Sequence, residues 1–281
     1  MKTLSAALEA HLAQPVTTLA LCWRIQRLDG QVFGATNHDR DLTVGADLYR
    51  ADAGATPGAL EARADLSVPG LEVQGVLDDA ALGAAELMAG RYDGAAVEIF
   101  AVNWADPDGG RLELLAGTLG EVRRRGDAFA AEVRGLAQAL QQTIGEVLTP
   151  TCRADLGDAW CTVDLAPLTV AGTLTAVTDA RRLRDSARAE AAGYWDGGKL
   201  TMTSGAAAGF SAEVSAYPAP GATWELFEPL PYLPAVGDAY TLAPGCDKRP
   251  ETCAGRYANM LNFQGEPGIP GQDEILRYGG G

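Results

Sequence analysis

The sequence predicts a mainly β protein with a few short helices, organised as two packed domains of β-barrel or split-barrel type. Three observations lead there. At 281 residues the chain exceeds what one small core normally organises. Glycine (34) and proline (15) are abundant, which favours short strands and turns over long helices. Stretches of alternating apolar and polar residues, separated by turn formers, recur along the chain. Hydrophobic content of 47% and charged content of 21% are those of a chain that folds.

Residues 3–13 have the spacing of an amphipathic helix that Pro15 ends. In TTLALCWRIQR, Leu19, Leu21, Trp23 and Ile25 share one strand face; Asp29-Gly30 is a two-residue turn signal, and GQVFGAT returns. Further strands are expected at 66–77, 95–104 and 111–134, with ADPDGG as a connector and Arg125-Gly126-Asp127 in a hairpin turn. Two helices interrupt them: DDAALGAAELMAG, from an Asp N-cap to Gly90, and LAQALQQTIGEVL at 136–148. The pattern changes after Pro150, which sets the domain boundary, with no flexible linker. LTVAGTLTAV alternates, TDARRLRDSARAEAAG reads as a charged loop or short helix, and the stretch from Gly193 to Gly245 reads as about five short antiparallel strands. The expected division is 1–150, 151–245 and a turn-rich C-terminal segment, 246–281.

The net charge is −15. A field of that sign repels phosphate backbones, which excludes sequence-independent nucleic-acid binding but suits an acidic wall past which DNA slides. No apolar run is long enough to span a membrane. The N-terminal stretch is interrupted by Glu9 and His11, so it is not read as a signal peptide, and a reducing cytosol is expected. No phosphate loop, nucleophile elbow or dinucleotide fingerprint is present, and His38, within Asn37-His38-Asp39-Arg40-Asp41, reads as a turn hydrogen-bond cluster. Arg125-Gly126-Asp127 reads as a plain turn, and the five tryptophans as core or interface anchors.

Cysteine carries the chemistry. Cys22 reads as an ordinary strand thiol. The other four form two pairs, C-x8-C (Cys152, Cys161) and C-x6-C (Cys246, Cys253), on either side of the small β domain. A compact β module tends to bring its first and last strands together, so the pairs are expected to meet at its base. Free structural thiols, two disulfides and a four-thiolate metal site compete; the reducing compartment argues against disulfides. Spacing leaves zinc and iron–sulfur open, because the intervals exceed those of zinc knuckles and lack the short iron–sulfur runs. Arg153, Lys248, Arg249 and Arg256 lie close to the four in sequence, either as counter-charges to an anionic site or as solvated surface cations.

The stretch PGCDKRPETCAGRYANMLNFQGEPGIPG, 244–271, resembles the C-terminal signature of a family of phage minor tail proteins, as in the hub proteins of gene transfer agents and, more distantly, the tail tip protein L of phage lambda. NHDRDLTV and GLEVQGVLDDAALGAAELMAGRYDGAAVEIFAVNW resemble the N-terminal half of the same family, so the likeness covers nearly the whole chain. It implies a tail-hub fold in which residues 1–150 form the hub domain and 246–281 pack back on it. It also implies a non-enzymatic tail-tip (baseplate) hub that binds a [4Fe–4S] cluster through Cys152, Cys161, Cys246 and Cys253. The implied assembly is a ring, a trimer, around the DNA exit channel. Its implied neighbours are a distal tail protein, a large fibre-bearing tip protein and a cell-wall peptidase, in a virion assembled in the host cytoplasm. A cluster-dependent redox enzyme and a zinc-clamped binding module are the alternatives. The closing Arg277-Tyr278-Gly279-Gly280-Gly281 is expected to be a flexible end.

Overall fold

The computed structural model describes residues 3–51, 56–57, 71–76, 83–125, 128–135, 138, 140–141 and 144–269. The chain divides into two compact units, 1–144 and 145–281.

The first unit is built on one antiparallel sheet. Its strands are β1 (Leu19–Gln26), β2 (Val32–Thr36), β5 (Thr56–Pro57), β6 (Leu71–Val76), β7 (Ala96–Asn103), β8 (Arg111–Arg125) and β9 (Ala128–Gly135), in the order β2-β1-β7-β8-β9-β6-β5. Strands β3 (Leu42–Val44) and β4 (Asp47–Tyr49) form a separate hairpin. Helix α1 (Ala6–Leu12) is capped by Ser5, whose hydroxyl accepts from the Leu8 N–H, and Leu8 is buried. Trp23 and Ile25 face a core shared with Val97, Ile99, Val133 and, from helix α2 (Ala84–Met88), Leu87. The opposite face of β1 is buried as well: Ala20 and Cys22 pack with Leu42, Tyr49, Phe100 and Val102. Cys22 is therefore the structural thiol expected. Burial and the Thr36 hydroxyl set its acidity; burial dominates and raises its pKa.

Several local expectations are corrected. The β1–β2 connection is residues 27–31, not two residues: Gly30 N–H reaches the Arg27 carbonyl and Arg27 N–H the Gln31 carbonyl, with Gly30 at φ +86°. The helix expected at 136–148 does not reach its end. Residues 144–149 are non-helical and Gly145 has φ +137°, a conformation that terminates a helix. Ile144, Val147 and Leu148 are exposed, so no core face supports a helix there. The Asp78–Asp79 cap, residues 66–70, Gly126-Asp127 and the Arg277–Gly281 end lie outside the described residues.

The second unit is a β-barrel. Its strands are β10 (Val170–Thr173), β11 (Ala176–Val177), β12 (Arg182–Arg184), β13 (Lys199–Met202), β14 (Ser211–Ala216), β15 (Thr223–Leu226) and β16 (Ala239–Ala243), ordered β10-β16-β13-β14-β15-β12-β11. The two end strands, β10 and β11, are one chain segment interrupted at Leu174-Thr175, so the sheet curls until its edges belong to the same strand. Trp195, Leu200, Met202, Val214, Trp224 and Leu242 fill the interior. The charged stretch expected as loop or helix contains β12. Only Leu183 turns inward between Arg182 and Arg184, which is the period of a strand.

Candidate metal centre

The barrel delivers the four paired cysteines to one place. Cys152 precedes β10, and its N–H donates to the Lys248 carbonyl at 2.8 Å while the Arg153 N–H donates to the Gln264 carbonyl at 2.9 Å. The C-terminal segment is thus strapped to the segment that enters the barrel. Cys161 sits in a loop organised by Asp158. One Asp158 oxygen accepts from the Trp160 and Cys161 N–H groups at 2.9 and 2.7 Å, the other from the Asp155 N–H at 2.8 Å. The backbone bonds from Cys161, Asp155 and Trp160 together hold the Asp158 carboxyl below its usual range.

Cys246 follows β16 after Gly245. Here the chain passes so close to Asp196 that a Cβ at residue 245 would lie 1.6 Å from the Asp196 carbonyl oxygen. Gly245→Ala is therefore expected to push Cys246 out of position and to cost about 3 kcal/mol, read as a lower urea midpoint with an unchanged slope. Cys253 lies on α3 (Pro250–Gly255), a helix with Pro250 in its first turn, in a segment expected from its turn formers to be loop. A short 3₁₀ turn, Met260–Asn262, follows.

Cys152, Cys161, Cys246 and Cys253 line one small cavity of about 10 Å³, with Lys248, Arg249, Tyr257, Asn262 and Phe263 among the other walls. None of the five cysteines is in a disulfide. All four cysteines border the void, but among the described residues no three His, Cys, Asp or Glu side chains are grouped closely enough to hold a metal ion as they stand. The Cys253 thiol is pushed up by burial first and then by Cys152, Cys246 and Cys161. Burial likewise raises Cys246. Ionised together at one site, four thiolates would need a compensating cation, which a metal that binds sulfur would supply. Two N–H groups point at the sulfurs: Gln264 N–H at 3.3 Å from Cys152 Sγ, and the Asn259 amide at 3.6 Å from Cys161 Sγ. The Asn259 amide also donates to the Cys161 carbonyl.

Of the four neighbouring cations, Lys248 and Arg249 line the cavity. Lys248 also pairs with Asp155 at 3.1 Å. Arg153 is instead bidentate to Glu266 at 2.7 and 2.9 Å and reaches Glu146 at 3.1 Å. Arg256 stacks over Tyr194 at 4.0 Å and donates to its carbonyl. Sequence reasoning missed Asn259 and Gln264, whose only signal was their place in the C-terminal motif. It also missed the strain. Among the described residues the non-glycine residues with positive φ are Thr162, Lys248 and Ala258, and all three flank the cysteines. His38 lies in a turn cluster, its ring 5.1 Å from that of Trp104 and its Nδ1 3.1 Å from the Arg40 N–H.

The Arg153–Glu266 pair also gives a pH dependence. The Arg153 hydrogen bond holds the Glu266 carboxyl below the usual glutamate value. The folded chain then binds fewer protons than the unfolded chain. The contribution is present above the unfolded glutamate pKa and is lost as pH falls through the lowered folded value. Thermal melts of the native protein and Glu266→Gln are expected to differ at neutral pH and to converge in acid. A gap that persists unchanged to pH 3 contradicts the assignment.

Residues 5–164 match the family model described as "Baseplate hub protein, N-terminal attachment domain". The chain belongs to the baseplate hub protein family. Residues 193–273 match a second model, "Phage conserved hypothetical protein BR0599". A chain from a solved structure titled "Virion of native gene transfer agent (GTA) particle" superposes with a TM-score of 0.90 and 40% identity, over 97% of this chain and 95% of that one. A search of curated proteins gives no match. This hub protein is therefore a structural protein of a phage-like tail, with the mainly β tail-hub fold that the C-terminal signature implied. No helix among the described residues is long and apolar enough to cross a membrane.

Proposed function

We propose that the protein is a homotrimeric tail-tip ring around the DNA exit channel, with its second unit locked by a [4Fe–4S] cluster on Cys152, Cys161, Cys246 and Cys253. The ring joins the tail tube, through a distal tail protein, to a large fibre-bearing tip protein and a cell-wall peptidase. It assembles in the host cytoplasm before entering the virion. A net charge of −15 suits a channel wall that DNA passes without sticking. The observation that carries the reading is the meeting of four thiols, from segments before and after the barrel, around one cavity in a baseplate hub protein.

The cluster would tie both ends of the barrel to one point, and binding free energy of that kind is folding free energy. Lys248 and Arg249 would offset its charge, and the Gln264 and Asn259 N–H groups would orient two of the sulfurs. The cavity has about the room of one water. The same small volume favours a second reading, a single zinc ion. Zinc would be held by the same four sulfurs, at bonds of about 2.3 Å, and metal analysis separates the two readings.

Gold labelling of a C-terminally tagged chain in purified particles, with native mass spectrometry of the isolated protein, tests the placement. Label at the tail tip and a trimeric mass are expected. Label on the capsid, or a monomer at every concentration, overturns it.

A further inference from the structure

We propose that the loop between β15 and β16 is a proline-stiffened ligand that seats in an aromatic-lined, basic-rimmed groove of another protein of the particle; this rests on the virion placement above. Its sequence is Phe227-Glu228-Pro229-Leu230-Pro231-Tyr232-Leu233-Pro234-Ala235-Val236. From Pro229 to Ala235 burial alternates. Leu230, Tyr232 and Pro234 turn inward, while Pro229, Pro231, Leu233 and Ala235 are exposed. Leu230 belongs to the barrel core, and the Tyr232 ring packs 5.6 Å from that of Phe210.

Hydrogen bonds fix both ends. Leu230 N–H donates to the Ala180 carbonyl at 2.9 Å, Gly237 N–H to the Leu174 carbonyl at 2.8 Å, and Ala235 N–H to Asp238 Oδ2 at 2.8 Å. The three prolines restrict the backbone further and remove donors that a partner would otherwise have to satisfy. The outward face is thereby held in one shape, and it is apolar: Phe227 is 52%, Leu233 63% and Val236 64% exposed. A rigid apolar face of this kind loses little entropy on docking and is what a binding surface needs.

Two features select the occupant. An exposed apolar face of Phe227, Leu233 and Val236 beside outward Pro229 and Pro231 fits an apolar groove in which aromatic rings supply large rigid contact area. The rim is acidic. From Leu200 to Asp247 the chain has no Lys or Arg, whereas Glu213, Glu228 and Asp238 lie in that stretch. The nearby Arg181 pairs with Glu225 and Arg182 with Asp179. Such a rim is repelled by anionic lipid, by nucleic acid and by the same face of a second copy. A protein groove rimmed with Lys or Arg is attracted.

Leu233→Asp in the full chain, expressed in cells that make the particle, is expected to melt within about 2 °C of the native protein, because the side chain is exposed. Its incorporation into particles is expected to fall about tenfold or more, with Leu233→Met restoring it. Incorporation at the native level overturns the proposal. A photo-crosslinking residue at Val236 decides independently of folding. The expected adduct is to a different particle protein, on a peptide carrying aromatic and basic residues. An adduct between two copies, to lipid or to DNA, or no adduct, overturns it. If the native chain is absent from particles, the virion placement itself fails. If only Leu233→Asp is silent, this inference alone fails.

Discussion

On the proposed four-cysteine cluster, Cys253→Ser is expected to abolish metal binding by the second unit and to lower its melting temperature by about 10 °C or more. Cys253 is buried on α3, where its N–H bonds to the Arg249 carbonyl and its carbonyl to the Asn259 N–H. The surrounding segment, 244–269, contributes no strand to the barrel. Apart from the cysteines, it is held by backbone bonds from Cys152 to Lys248 and from Arg153 to Gln264, the Glu266–Arg153 and Lys248–Asp155 pairs, and Arg256 on Tyr194. Structural zinc in small peptides contributes about 10 kcal/mol to folding, and a fraction of that suffices for the shift. Calorimetry together with iron and zinc analysis of the variant checks it. A variant that keeps full metal content and the native melting temperature shows that Cys253 is not a ligand.

Tyr240→Phe is expected to destabilise the barrel by about 3 kcal/mol. Asp185 is 2% exposed, and its Oδ2 accepts from the Tyr240 hydroxyl at 2.5 Å. The Arg188 guanidinium lies 3.4 Å from the same oxygen, and the Ala187 N–H donates to Oδ1 at 2.8 Å. Removing the hydroxyl leaves a buried carboxyl short of a donor. Burial first, then the hydrogen bond to Asp185, keeps the Tyr240 phenol protonated far into alkali, so the donor is present at every working pH. The same substitution in an Asp185→Asn background is expected to cost less, because an amide is cheaper to leave partly unpaired. Urea unfolding of the four proteins closes the cycle. A loss under 0.5 kcal/mol for Tyr240→Phe alone contradicts the account.

Much of the fold was legible because strands announce themselves by alternation. Trp23 and Ile25 on one face of β1, and the connector between β7 and β8, needed no tertiary knowledge. What escaped was tertiary. The β3–β4 hairpin covers the second face of the main sheet, and nothing in Ala20-Leu21-Cys22 shows that Leu42 and Tyr49 pack against that face. β12 was hidden because arginines flank its single inward Leu183. The barrel closes through the break at Leu174-Thr175, which is a property of sheet order and not of local pattern. At the site, two cysteine pairs bracketing a β module were enough to predict that they meet. The groups that orient them were not legible. Asn259 and Gln264 are ordinary polar residues until the backbone at Thr162, Lys248 and Ala258 takes up positive φ and turns the loops toward one another.

The central claim is that the second unit is locked by a cluster on four cysteines. Its most direct test is iron, sulfide and zinc analysis, with an absorption spectrum, of the full chain purified without oxygen. The account predicts a brown protein with about four irons and matching sulfide per chain. Stoichiometric zinc without iron, or a fully stable chain with neither metal, contradicts it.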